Sequence, residues 1–375
     1  MIISSQFDAG NIECIDQSDE GNIRLSIRAD HQSEFYQWFY FRAANVKHIA
    51  CRYVIDNAAG AAYTGGWKDY RAVASYDREY WFRVDTSFDG KQLVIEHTSE
   101  QDQVYFAYFA PYSMERHADL IAFALDCEQC QVETLGHTLD GQAIDCLRFG
   151  DPDKAGKTLW MVARQHPGET MAEWWMEGLI NRLVDENDPV VRAVLQNSVI
   201  YLVPNMNPDG SRRGHLRTNA AGINLNREWH QSSLEKSPEV YHVLEKMKST
   251  GLDFGLDVHG DEALPYNFLA GTEGIPGWSK ARQGKLDLYK QTLARINPDF
   301  QTEHGYPANS AGKANMSYCS NALAEHFSAP VMTLEMPFKD ALDTPDNEQG
   351  WSPERSMKLA SSCLDALYLC WDEMI

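Results

Sequence analysis

From Ile12 to about Ser113 apolar and polar residues alternate in short runs: IRLSIRAD, QWFYFRAAN, IACRYVID, YWFRVDTSF, KQLVIEHT and VYFAYFAPY. A period of two in segments rich in aromatic and β-branched residues predicts half-buried strands. Turn clusters such as DNAAG and SFDGK divide the runs, and their spacing is that of an all-β sandwich. The period changes near Met114. MERHADLIAFALD repeats its apolar positions at helical spacing, and beyond it strands (TLWMVARQ, VIYLVPNMN, DFGLDVHG, PVMTLEMPF) alternate with helical segments such as ETMAEWWMEGLINRLVDEN and SPEVYHVLEKMKSTG. That alternation predicts an α/β layer with a mixed or largely parallel central sheet and helices on both faces. Two domains are expected, residues 1–113 and 114–375.

Ligand sites in such sheets lie beyond the carboxyl ends of the strands, and reactive residue types fall there. TLWMVA runs into RQHPGET and then a helix. His166 and Glu169 can point at one centre from this corner, with Pro167 and Gly168 forming the turn. A third donor, His259, closes the strand FGLDVHG, where Gly260 lets the chain turn away. Two histidines and a glutamate leave a fourth position open, the pattern of a catalytic zinc site. Each element alone has a plain alternative, since a strand-end histidine is more often a hydrogen-bonded structural residue. Glu335 sits inside the apolar run PVMTLEMPF. It is either a general base beside the metal or a strand-end glutamate facing water. The loop VPNMNPDGSRRGHLRTNAAGINLNREWH carries Arg212, Arg213, Arg217 and Arg227. Guanidinium groups so placed can grip a carboxylate or an oxyanion. Arg212 and Arg213 read as solvated charges, Arg217 and Arg227 as candidates for the site.

The formal charge of −21 over 375 residues excludes a general nucleic-acid binder, because a phosphate partner would be repelled. MIISSQFDAG lacks the basic and apolar regions of a signal peptide, and nowhere do 18 apolar residues run together, so a cytoplasmic protein without membrane contact is expected. Eight cysteines without disulfide spacing read as reduced thiols. Cys127 and Cys130 form a C-x-x-C with no second pair to complete a metal site.

Over nearly its whole length the chain resembles the zinc metallocarboxypeptidases, in particular their cytosolic carboxypeptidase branch. FDAGNIECI, QWFYFRAAN and FAPYS are similar to the β sandwich that precedes the catalytic domain there. HPGE, NMNPDG, NLNREW, LDVHG and TLEMP follow in family order. The resemblance implies a carboxypeptidase-like fold, a zinc ion held by His166, Glu169 and His259, and removal of one residue from a peptide or protein C-terminus. It implies Glu335 as the base that activates water, Arg217 at the scissile carbonyl, and Asn226 with Arg227 at the terminal carboxylate. Asn224 stands where many relatives have an aspartate behind the first zinc histidine, and somewhat weaker zinc binding is expected. Some relatives of the branch remove glutamates. The basic candidate for such a preference is Lys313, with a solvated loop lysine as the alternative. Tyr306 and Tyr318 are candidates for a tyrosine that closes over substrate. A homo-oligomer is left open. Two other readings share these residues: an amidohydrolase acting on small N-acyl amino acids, and a non-catalytic protein that docks a partner through the β sandwich.

Overall fold

The period-two runs of the first hundred residues form strands in two five-stranded sheets of the computed structural model, which describes residues 1–375. One sheet runs Ile2–Ser4, Tyr40–Ala44, Gln103–Ala107, Val73–Ser75, Phe82–Arg83, and the other Glu13–Asp16, Ile23–Ser26, Ala50–Ile55, Leu93–Thr98, Asp85–Phe88. Their inner faces meet through aromatic rings. Tyr53 of the second sheet lies 4.7 Å from Phe106 and 5.7 Å from Phe41 of the first, between ring centroids. Such pairs add to the burial of large apolar area. The run YWFRVDTSF, which reads as one strand, is two. It changes sheets at Val84, whose N–H donates instead to Ala72 O at 3.0 Å.

After the helix Met114–Leu125, seven strands form the central sheet in the order Cys130–His137, Ala143–Phe149, Ser198–Val203, Lys157–Ala163, Phe254–Asp261, Val331–Pro337, Phe268–Ala270. The four middle strands are parallel and are those the hydrophobic pattern predicts, while the flanking strands pair antiparallel. All positions of Ser198–Val203 and Phe254–Asp261 are buried, as strands covered on both faces must be. Along Lys157–Ala163 the residues Leu159, Met161 and Ala163 enter one apolar cluster, and Trp160 and Val162 a second on the opposite face. Helices Met171–Leu183, Lys280–Ile296 and Pro353–Leu369 supply the first cluster, and Pro238–Thr250 and Cys319–Phe327 the second. Gly178 permits closest approach within the first layer, since a Cβ there would lie 2.3 Å from the Cα of Met357. No helix is long and apolar enough to cross a membrane.

The larger cluster, 76 buried residues, continues without interruption from the sandwich into the α/β layer. Tyr108 of the sandwich stacks on Phe338 at 4.5 Å. The buried guanidinium of Arg83 donates to the carbonyls of Phe338, Gln349 and Trp351. Residues 1–113 are therefore fixed against the rest by core packing and by hydrogen bonds that water does not replace. Seven of the eight cysteines are buried, and all are free thiols.

A buried ionic network holds the corner after Lys157–Ala163. Arg164 adopts φ +57°, an unfavourable backbone for a side chain of this size. Its guanidinium offsets that cost by donating to Pro167 O at 2.9 Å, Tyr112 O at 2.9 Å and Glu173 Oε2 at 2.6 Å. His117 Nδ1 meets the other oxygen of Glu173 at 2.6 Å, and Nε2 faces Asp145 at 3.4 Å. Burial opposes the charged imidazole, but hydrogen bonds and charges from Asp145 and Glu173 outweigh it and raise the His117 pKa from 6.5 to about 9. A folded-state pKa above the unfolded value contributes stability that is complete below about 6.5 and is lost as pH rises through about 9. Urea midpoints of the parent and of His117→Gln should accordingly differ most near pH ~6 and converge by pH ~10; a difference independent of pH would contradict the ion pair.

Candidate active site

His166, Glu169 and His259 meet at the carboxyl edge of the parallel strands, all three buried. Glu169 Oε1 lies 2.7 Å from His166 Nδ1, and Oε2 lies 2.7 Å from His259 Nδ1. Oε2 also accepts from Gly260 N at 3.1 Å. The three donor atoms lie within 4.8 Å of one another. Two Nδ1 atoms and a carboxylate oxygen converging on one point match the donor set of a catalytic zinc site, and each imidazole has a partner at its far nitrogen, as metal-ligating histidines do. His166 Nε2 meets Asn224 Oδ1 at 3.0 Å and His259 Nε2 meets Asp257 Oδ1 at 2.9 Å. Burial, reinforced by the charge of Arg217, lowers the His166 pKa to about 4. Burial works the same way on His259, but the carboxylates of Asp257 and Glu169 outweigh it and raise its pKa.

The turn between the first two donors is held from outside. Gly168 N donates to Leu216 O at 2.9 Å, and a Cβ at Gly168 would lie 3.0 Å from that oxygen. At the third donor the structure departs from the sequence reading. The strand does not turn away at Gly260 but continues to Asp261. The glycine is needed because a Cβ would sit 2.4 Å from Met171 Sδ.

Glu335 is the register partner of His259 on the neighbouring parallel strand. Its Oε2 is buried without a hydrogen-bond partner, and Oε1 accepts from Tyr306 OH at 3.3 Å. Burial pushes this carboxyl well above its usual range; the nearby His259 opposes the shift, and Glu169, Asp261 and Glu262 add to it. A buried carboxylate with one unpartnered oxygen beside a metal-type donor set is placed to take and return a proton.

The triad and Glu335 open on a cavity of about 540 Å³ whose walls include Arg217, Asn226 and Arg227. The Arg227 guanidinium lies 3.9 Å from the centroid of the Tyr318 ring and donates to Asn226 O at 2.6 Å. Arg217 lies between the rings of Tyr63 and Phe35, 5.4 and 5.6 Å from their centroids. Neither guanidinium is paired with a carboxylate of the protein. Asn226 is tied at Oδ1 by Cys319 N at 2.8 Å, and its amide nitrogen lies 3.3 Å from His259 Nε2. Lys313 is exposed and is not part of the cavity wall. The lysine that is part of it is Lys290, accompanied by Glu273. Of the two tyrosines, Tyr306 turns its hydroxyl to Asp261 Oδ2 at 2.5 Å and towards Glu335, and Tyr318 lies under Arg227.

Sequence reasoning passed over Asp257, although a strand places residues two apart on one face and Asp257 precedes His259 by two. Gln165 was also missed. It donates to Asp257 Oδ1 at 2.7 Å and accepts from Trp229 Nε1 at 2.7 Å, bracing the carboxylate behind His259. Tyr63 and Glu262 lie on segments whose pattern gives no sign of the cavity they line.

Comparison with known proteins agrees with this geometry. Residues 3–109 match the cytosolic carboxypeptidase N-terminal domain, and residues 119–264 match the zinc carboxypeptidase family. The chain is similar to an uncharacterised protein of Zymomonas mobilis, 50% identical over 99% of this chain and 97% of that one. It is similar to a metallo-carboxypeptidase of Pseudomonas aeruginosa solved in complex with (2-guanidinoethylmercapto)succinic acid, 43% identical, with a TM-score of 0.97 and all of both chains covered. Human cytosolic carboxypeptidase 2 is 27% identical over 66% of this chain, which spans only 31% of that protein's length.

The groups behind the two histidines should tune metal affinity independently of turnover. Asp257→Asn should weaken zinc binding by about 10- to 100-fold, and Asn224→Asp should tighten it, both read by competition with a chromophoric chelator. An Asn224→Asp protein with parental affinity would show that the 3.0 Å contact to His166 does not tune the metal.

Proposed function

Because the chain belongs to the zinc carboxypeptidase family, we propose that it removes single residues from the free C-terminus of a peptide or protein tail, with Glu335 as general base, Arg217 at the scissile carbonyl, and Asn226 and Arg227 at the terminal carboxylate. One observation carries the reading: two guanidinium groups without carboxylate partners open on the same cavity as the triad and the unpartnered Oε2 of Glu335. A cavity with that lining suits a ligand that ends in a carboxylate and carries a carbonyl one residue inward.

A zinc ion at His166, Glu169 and His259 supplies Lewis acidity. The remaining steps belong to the side chains. Glu335 Oε2 takes the proton of the attacking water and later gives it to the departing amine; a raised pKa suits a group that must hold that proton in between. Tyr306 orients the other oxygen of Glu335. Arg217 donates to the carbonyl oxygen as negative charge grows there. Arg227, braced on Tyr318, pairs with the terminal carboxylate and so sets which peptide bond is reached. Asn226, whose oxygen is occupied by Cys319 N, offers its amide N–H groups to the same carboxylate.

For the side chain of the departing residue, the cavity wall offers Glu273 and Lys290. Glu273 Oε2 is folded against Gly271, where a Cβ would lie 2.5 Å away. The ligand of the Pseudomonas relative joins a succinic acid to a guanidinium-tipped arm. Applied to this chain, it favours a basic terminal residue reaching Glu273. Lys290 favours a second reading, a terminal glutamate, in the part that the sequence assigns to Lys313. The match of the β sandwich to a cytosolic carboxypeptidase domain and the free thiols support a cytoplasmic setting.

Glu335→Gln should lower kcat by about 10²- to 10⁴-fold with zinc content unchanged. The parent should cut peptides with a free C-terminus and leave amidated ones, and small N-acyl amino acids, untouched. Equal cleavage of amidated peptides would sink the exopeptidase reading. Among peptides ending in Lys, Arg, Glu, Phe or Ala, Glu273→Gln should slow the basic ones selectively and Lys290→Met the acidic one, so the panel decides between the two preferences.

A further inference from the structure

The sandwich contributes no donor to the triad, yet it grips the loop that carries Arg217 at several points. Asp30, 3% exposed, accepts from Leu216 N at 2.7 Å, Arg217 N at 2.8 Å, Thr218 N at 2.9 Å and the Thr218 hydroxyl at 3.0 Å. Upstream, Asn11 Nδ2 donates to Gly214 O at 2.8 Å and Ala9 N to Arg212 O at 3.0 Å. Downstream, Gly222 has φ +73°, and a Cβ there would lie 2.5 Å from Gln32 O. The side chain of Arg217 then lies against Tyr63 and Phe35, both from the sandwich. Tyr63 is itself fixed at both backbone groups by Gln37, at 2.8 and 3.0 Å.

An arginine that serves a developing oxyanion must be held still and must keep its charge available. A carboxylate bound to its guanidinium would hold it but occupy its donors. Here the buried carboxylate is spent on the backbone N–H groups around Arg217, and the guanidinium, which forms no ion pair, has two aromatic rings beside it, which attract a cation without accepting its hydrogen bonds in the ring plane. We propose that the β sandwich is a working part of the active site, with Asp30 as a positioning residue for Arg217 and Tyr63 and Phe35 as the rings that fix its side chain. The inference rests on the reading of Arg217 given above.

The test uses the full-length zinc-loaded protein and a short peptide ending in free lysine or glutamate, whichever the parent cuts faster. Arg217→Ala should lower kcat by about 10²- to 10³-fold. Asp30→Asn should lower it by roughly 10- to 100-fold with parental zinc content. The double variant should be no slower than Arg217→Ala, because a positioning residue has nothing left to position. Losses that multiply in the double variant, or an Asp30→Asn protein with parental kcat, would overturn the proposal. A parental kcat in Arg217→Ala would instead overturn the arginine reading itself. Should Asp30→Asn fail to fold, Tyr63→Leu with Phe35→Leu takes its place: a kcat lowered roughly tenfold beside Arg217 and unchanged in the Arg217→Ala background supports the inference, and any other pattern refutes it.

Discussion

A buried carboxylate shared between two imidazoles governs this molecule. Glu169 lies 2.7 Å from Nδ1 of both His166 and His259, and burying its charge would be costly without partners on both oxygens. That requirement binds the turn after one strand to the end of another, almost a hundred residues away. It also obliges the surrounding backbone to be rigid. Arg164 accepts a left-handed conformation and Gly168 presses on Leu216 O so that the two donors of the turn face the same point. Asn224 and Asp257 fix the rings from behind.

Glu335, the proposed base, is placed by sheet register. His259 and Glu335 are paired residues of adjacent parallel strands, so their spacing follows from the ladder and does not depend on a loop. A slip of one residue would send Glu335 to the opposite face. Helix layers bury both faces of the parallel strands, which makes such a slip expensive along the whole length of Phe254–Asp261. Packing energy far from the cavity thus guarantees geometry inside it.

What could be read from the sequence follows from the same division. The parallel strands and their helices carry strong periodicities, while the donors in HPGE and LDVHG are each a weak signal alone and become legible only in combination and in the order of the family's motifs. Cys130–His137, Ala143–Phe149 and Phe268–Ala270 were not; an antiparallel flanking strand has one half-covered face and a weak pattern. The cavity wall was legible only in part. Arg217 and Arg227 stand out as cations in an acidic chain, but Lys290 lies on a helix and Glu273 in a loop, and only the fold brings them together. Lys313 is close in sequence to the catalytic strand and is nonetheless exposed. Asp30 looks like any other acidic residue in SIRADHQSEF, because its role depends on backbone groups that carry no sequence signal.

The overall charge of −21 and a cavity that holds two arginines without carboxylate partners are compatible for a reason of distance. At physiological salt the field of exposed carboxylates is screened over about 8 Å, so the acidic surface sets solubility and weakly slows an acidic ligand at long range. Inside the cavity screening is poor and individual pairs decide. Tyr318 under Arg227, and Tyr63 and Phe35 beside Arg217, stabilise each cation without a carboxylate partner, and Arg227 commits one N–H to Asn226 O. The free energy that an internal salt bridge would have consumed stays available for a ligand, in the proposed function for the terminal carboxylate and for the carbonyl oxygen as it gains charge. Unpaired arginines that are costly to bury as bare charges are, with rings in place of carboxylates, the arrangement that leaves most of their binding capacity to substrate.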